Sequence, residues 1–275
     1  MKMKTRLNLS APSNETKSAE TNLLTVASIS EKLFLAHKDL EPAQSVPERP
    51  GRDLQVLGAD QMPPRRGLST TEGQGRLLHD LANIELQAVE LCYRTWQEFP
   101  EAPEEFREEL VALVRGEANH LALCLGGLHD LGYSWGHWPV HLALWSSVSG
   151  ADSLLDRILI VHRYLEGNGL DAAETLLRRL TGVPPSPVHA IVGQIAREER
   201  DHVRFGTRWF KVLCEAEGRD PSCEFIERFR QVEHRVPHRI EKMNATVRLD
   251  LGFSQAEIEF LDQRQRAWSR QVGHE

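Results

Sequence analysis

The chain has 275 residues, of which 40% are hydrophobic and 27% charged, and it carries a formal net charge of −7 at pH 7. That acidic balance argues against a broad nucleic-acid footprint, which would be basic. No run of about 18 apolar residues exists to cross a membrane.

The first segment, residues 1–67, differs from the rest. It holds Pro42, Pro47, Pro50, Pro63 and Pro64 among many Ser, Glu and Lys residues. It reads as a flexible or extended strap with one short helix around Ile29 to His37, and its first 20 or so residues have the composition of a disordered tail. Met1 to Ser13 carries Lys2, Lys4 and Arg6 but no apolar stretch, so it does not read as a secretory signal. Cys92, Cys124, Cys214 and Cys223 show no C-x-x-C spacing, which gives neither a zinc pattern nor a disulfide framework. A reducing, cytoplasmic location is the simplest expectation.

From Ser69 the pattern becomes helical. Ser69-x-x-Glu72 has the form of a capping box, and the first long helix runs from it to about Phe99, before Pro100. Pro103 suits the first turn of a second helix, which ends near Leu131-Gly132. A loop rich in Trp, His and Gly follows, from Tyr133 to Trp145. A third helix runs from about Asp152 to Leu180, with a disturbance expected at Gly167-Asn168-Gly169. A fourth runs from about Pro187 to Glu217 and stops at Gly218. A further helix starts near Pro221, and Ser254-x-x-Glu257 opens a C-terminal one. No segment alternates with a period of two, so the expected fold is all-α. The expected organisation is a four-helix bundle over 68–218, with 219–275 packed on it as additional C-terminal helices.

The chemistry lies on the core seams of the four long helices, read at heptad spacing. The second helix gives Leu110, Leu113, Glu117, His120, Cys124; the fourth gives Val192, Ile195, Glu199, His202, Gly206. The first places Glu85 on its seam, and the third places Glu166 there. Buried ionised carboxylates cost several kcal/mol each, roughly, unless paired or bound to a cation. Two divalent metals would offset four glutamates, with the histidines binding as neutral imidazoles. Residues three apart share a helix face, so Glu and His of one helix can reach one site. Glu85 and Glu117 are 32 residues apart, and Glu166 and Glu199 are 33 apart. Each hairpin thus offers a Glu and then a Glu-x-x-His, the ligand set of the ferritin-like di-iron and di-manganese bundles. One Glu-x-x-His alone is better read as a solvated acid and a packed histidine; two, each preceded by a seam Glu, are far more specific. The expected metal ligands are therefore Glu85, Glu117, His120, Glu166, Glu199 and His202, with no catalytic residue beyond them. His162, Glu198, Tyr93, Tyr164 and His141 are candidates for the surrounding shell. Core packing accounts equally well for His162 and the tyrosines.

Several stretches resemble an uncharacterised bacterial ferritin-like family. They are Leu81 to Leu91, Pro139-Val140-His141 with Leu144-Trp145, Leu165-Glu166 with Gly169-Leu170-Asp171, and Glu198-Glu199 to His202 with Gly206 and Trp209-Phe210, together with Asn244 to Gly252-Phe253. The resemblance covers roughly residues 50–262, implies the same six ligands and gives His141 more weight than spacing does. Two features depart from it: the second helix reads Glu-Ala-Asn-His, and His162 stands where relatives are apolar. The chain is more distantly similar to di-iron hydroxylases that act on modified tRNA.

The expected function is an O2-activating oxidase or oxygenase with two Fe ions, Mn being equally suited to the donors, acting on a small organic substrate. The expected partners are O2, that substrate and an electron-donating reductase, since no flavin or nicotinamide fingerprint is present. A homodimer is left open. The alternatives are iron binding or storage without catalysis, and a tRNA-modifying hydroxylase. The latter would use arginines such as Arg178, Arg179, Arg228, Arg230, Arg235 and Arg239, though helix-surface arginines are commonly solvated or ion-paired.

Overall fold

A computed structural model describes residues 22–183, 186–238 and 242–272. The tail expected to be disordered falls almost wholly outside these residues, as does Arg239. Among the described residues the chain is all-helical, without a strand; one isolated parallel bridge joins Val56 to Val140. No helix of the described residues is long and apolar enough to cross a membrane.

A short helix, α1 (Ile29–Ala36), lies in the N-terminal segment. The long helix α2 (Thr71–Glu98) starts one residue later than the Ser69 box predicts. Thr70 is the N-cap: its hydroxyl accepts from the Gly73 amide at 3.0 Å while donating to the Gly67 carbonyl. Helix α3 (Glu104–Asp130) has Pro103 at its N-cap rather than in its first turn, and Glu104 and Glu105 sit where the helix dipole favours acids. The third long segment is α4 (Leu154–Ile158), a π-helical stretch (Leu159–Leu165) and α5 (Glu166–Leu180). Helix α6 spans Pro187–Ala216 and ends before Gly218, whose φ of 68° suits glycine. Helices α7 (Pro221–Val232), α8 (Ala245–Asp250) and α9 (Gln255–Val272) follow. The α9 capping box forms as expected: the Ser254 amide donates to Glu257 at 2.8 Å, and Ser254 Oγ accepts from the Glu257 amide at 3.2 Å.

The irregularity in the third helix is displaced from its expected place. Gly167-Asn168-Gly169 lies in regular α5, and the π stretch precedes it. The glycine there makes room for an arginine instead of breaking the helix. A Cβ on Gly167 would lie 2.0 Å from Nη1 of Arg248, a side chain 1% exposed. That guanidinium donates to Asn168 Oδ1 (3.0 Å), Asp171 Oδ2 (2.8 Å) and the carbonyl of Arg163 within the π stretch (3.3 Å).

Helix α2 runs antiparallel to α3: Gly75 meets Tyr133 at one end, and Arg107 donates to the Trp96 carbonyl at the other. Helix α6 is antiparallel both to α3, where Ile191 meets Gly127 and Phe205 stacks on Phe106, and to the third segment. Gly206 sets the last spacing, because a Cβ there would fall 2.5 Å from Cβ and 2.8 Å from O of His162. Aliphatic and aromatic side chains from all four long segments fill the space between them.

The described N-terminal segment is anchored by charge. Buried Glu90 on α2 receives Lys32 Nζ at 2.8 Å and both terminal nitrogens of Arg52 at 2.5 and 2.6 Å. At the other end, Arg163 pairs in a bidentate manner with Glu257 (3.1 and 2.8 Å). It lies within 5 Å of the ring centroids of Phe210, Phe225 and Phe253, tying α9 to the π stretch.

Candidate metal centre

Glu117 and His120 share one face of α3, and Glu199 and His202 share one face of α6. Because these helices run antiparallel, each histidine meets the other helix's glutamate. His202 Nδ1 lies 2.8 Å from Glu117 Oε1, and His120 Nδ1 lies 3.1 Å from Glu199 Oε1. Each imidazole also stands 3.5 Å from the glutamate of its own helix. One donor atom from each of the four residues lies within 4.8 Å of all the others, so the cluster could hold a metal ion. Glu85 on α2 approaches His120 Nδ1 at 3.6 Å. Glu166, at the start of α5, lines the same cavity as Glu85, Glu117 and Glu199.

The cluster is poor in compensation from the protein itself. Both carboxylate oxygens of Glu117, Nδ1 of His120 and of His202, Oε2 of Glu166 and Nε2 of His162 are buried without a well-formed hydrogen bond. Buried polar atoms are nearly always satisfied, and a cation-binding site is one of the few explanations for a group of them that is not. Carboxylate and imidazole donors suit divalent iron, manganese or zinc. The electrostatics show the strain on the metal-free cluster. Burial raises the Glu85 carboxyl, Glu117 and Glu199 add to this against His120, and the result is about 8. Burial opposes charge on Glu117, but His202 and His120 outweigh it and hold that carboxyl far below the usual range. Burial opposes charge on His202 too, and Glu117 and Glu199 nevertheless push it up to about 12. His120 is raised further by Glu117, Glu199 and Glu85. Without a metal, protons must supply the countercharge.

Of the surrounding candidates, Glu198 touches the cluster directly: its Oε2 lies 2.9 Å from Nε2 of His120, and Gln194 donates to its other oxygen at 3.1 Å. His162 Nδ1 lies 2.7 Å from Glu166 Oε1. The remaining three are directed elsewhere. Tyr93 donates its hydroxyl to the Glu41 carbonyl and Tyr164 donates to that of Pro237. His141 lines a different, more polar cavity of about 860 Å³, beside Val46 to Arg49, Val56 to Ala59 and Arg94. Its carbonyl accepts from Asn83 (3.0 Å) and Gln87 (3.1 Å), two buried amides one turn apart on α2 that fix the loop. They belong to a buried polar stripe of α2, Arg76, His79, Asn83, Gln87, Glu90 and Arg94, whose helical spacing was the available sequence signal. Cys92 and Cys124 are buried free thiols; burial, followed by the nearby carboxylates, raises both well above the usual range.

A cavity of about 330 Å³ reaches the four glutamates. Helix α2 lines it with Leu81, Ile84 and Ala88, α5 with Leu170, Ala173 and Leu176, and α6 with Val192 and Ile195. The walls are mainly apolar, as in small-molecule sites, and the polar lining is the four glutamates with Arg65, Asp80, Asn168, Thr175 and Arg179.

A family model described as "Protein of unknown function (DUF455)" matches residues 10–259. An uncharacterized protein of Haemophilus influenzae is 29% identical over 233 residues, covering 81% of this chain and 79% of that protein. No solved structure matches.

Proposed function

The chain belongs to the DUF455 family, and we propose that its Glu/His cluster is a dinuclear metal centre, di-iron in the first instance, in a ferritin-like four-helix bundle. We propose further that the centre serves an O2-dependent oxidase or oxygenase acting on a small organic substrate. One observation carries the reading: buried Glu85 and Glu117 and half-buried Glu166 and Glu199 line one largely apolar cavity, with His120 and His202 against them and orphaned donor atoms among the group.

In this reading Glu117, His120, Glu199 and His202 hold the metals, and Glu85 and Glu166 complete the set. That is one Glu from each of two helices and a Glu-x-x-His from each of the others. Bound reduced iron would supply electron transfer to O2. The protein's own groups prepare the site. Glu198 accepts the outer N–H of His120, which fixes the ring and its tautomer. His162 holds the Glu166 carboxylate. The apolar walls keep water from the inner end of the cavity. A separate reductase is the proposed electron source. A small substrate is favoured over tRNA by the engagement of two arginines that could have bound a phosphate backbone. Arg228 pairs with Asp156 (2.8 Å) and Glu224 (2.5 Å), and Arg235 pairs with Asp152 (2.7 Å).

Anaerobic reconstitution with ferrous iron, followed by metal quantification, tests the centre. About two irons per chain are expected for the native protein, and near-complete loss for Glu117→Ala combined with His202→Ala, because losing an outer partner alone already costs ~10–100-fold in affinity. A native chain that takes up no iron would falsify the reading. Full retention by the double variant would refute the ligand set.

A further inference from the structure

The cavity that reaches the glutamates has a cationic rim. Among the described residues lining it, the cations are Arg65 and Arg179, and both are exposed. Asp80 at the rim does not cancel them. It is shared between Arg65 Nε and Arg76 Nε, each at 2.8 Å, which leaves one positive charge over. Arg179 has no ion-pair partner among the described residues. Glu85, Glu117, Glu166 and Glu199 line the same cavity farther in, with Glu166 about 20 Å from Arg179 along α5. Ile84, 37% exposed, stands on the cavity wall as one of few large apolar side chains left open to solvent.

We propose that this cavity binds an anionic amphiphile, specifically an acyl-chain carboxylate. Its head group lies at Arg65 and Arg179, and its methyl end points to the four glutamates. The proposal rests on reading the cavity as the substrate site of the metal centre, and it adds both the class and the orientation of the ligand. Three features set the orientation. A carboxylate pairs well with a guanidinium fork. A second anionic head placed at the glutamates would lose its water there without gaining a guanidinium partner. Leu81, Ile84, Leu170, Leu176 and Val192, between the arginines and the glutamates, provide only apolar contact. The volume of about 330 Å³ lies at the small end of ligand sites, which suits one flexible chain.

Calorimetric titration of the full chain, stripped of metal, tests this with dodecanoate, dodecanol and dodecanedioate below their aggregation limits. Dodecanoate should bind at least about tenfold more tightly than dodecanol, which lacks the charge for the rim. It should exceed dodecanedioate by a similar factor, because the second carboxylate would face the glutamates. Arg65→Ala with Arg179→Ala, both exposed positions, should abolish the preference for the acid while leaving dodecanol binding in place. Equal binding of acid and alcohol, or an unchanged preference in the double variant, overturns the head-group assignment. Binding of neither overturns the ligand class. Iron content measured on the same preparation separates the two readings. A chain that takes up no iron but shows these preferences keeps the amphiphile site and loses the metal centre. A chain that holds two irons and binds neither probe does the reverse.

Discussion

The carboxylate of Glu198 stands 2.9 Å from Nε2 of His120, on the edge of the ring opposite the nitrogen that faces Glu85, Glu117 and Glu199. Among the described residues the other imidazole has no such partner in the corresponding place. There α3 carries Gly116, and a Cβ on it would lie 3.1 Å from Nε2 of His202. The two histidines are therefore supported unequally although the two Glu-x-x-His motifs are alike.

Glu198→Ala should weaken iron binding by about 10–100-fold without abolishing it, the usual cost of losing a carboxylate behind a ligand histidine. His120→Ala should cost more. Competition with a chelator of known affinity measures both. Equal losses in the two variants would place Glu198 among the ligands themselves.

Metal uptake should release protons and tighten as pH rises. In the metal-free chain His202 is held protonated up to about 12 and the Glu85 carboxyl up to about 8. Imidazole binds a cation only when neutral and a carboxylate only when ionised, so protons compete with metal. Near pH 7 these groups must lose protons on binding, so affinity rises with pH through about 8, where Glu85 ionises, and keeps rising while His202 remains protonated. Anaerobic titration in weakly buffered solution reads the released protons directly. A dissociation constant that does not change with pH contradicts this.

Glu257→Ala should destabilise the fold by roughly 3–5 kcal/mol, because it leaves the Arg163 guanidinium buried without its countercharge. Urea denaturation measures the loss. Iron content per folded chain should stay at the native level, since Glu257 lies on α9 and takes no part in the cluster.

Gly206→Ala should be harmful although it adds only a methyl group. The new carbon would meet the backbone oxygen of His162 at 2.8 Å, so α6 must move away from the π stretch. Overpacking of this kind costs about 1–3 kcal/mol. The shift also separates His202 from Glu166, so weaker iron binding should accompany a lower melting temperature. Native values for both would show that the helices can yield there without cost.

Much of the architecture is legible in the residues because helices announce themselves locally. Periodic leucines, Pro100, Gly218 and the Ser254-Glu257 box mark elements that the structure forms within a residue or two. Where the reading slipped, a distant side chain decided the outcome. Gly167-Asn168-Gly169 has the composition of a break, yet it stays helical because Arg248, about 80 residues later, occupies the space the glycine leaves. His141 drew its weight from the family resemblance more than from spacing, and the loop turns it toward a cavity walled by the N-terminal segment.

The sequence by itself determined the helical class and the pairing of Glu117 with His120 and of Glu199 with His202, because three-residue spacing on a helix fixes a shared face. It also placed Glu85 and Glu166 on core seams. Only the tertiary structure decided that the two pairs meet across α3 and α6, that Glu198 supports one imidazole while Gly116 faces the other, and that an apolar cavity with an arginine rim leads to the carboxylates. Those relations depend on the distance and rotation between helices. Contacts such as Gly206 against His162 and Arg248 against Gly167 set that geometry, and they join residues too far apart in the chain for any local pattern to reveal.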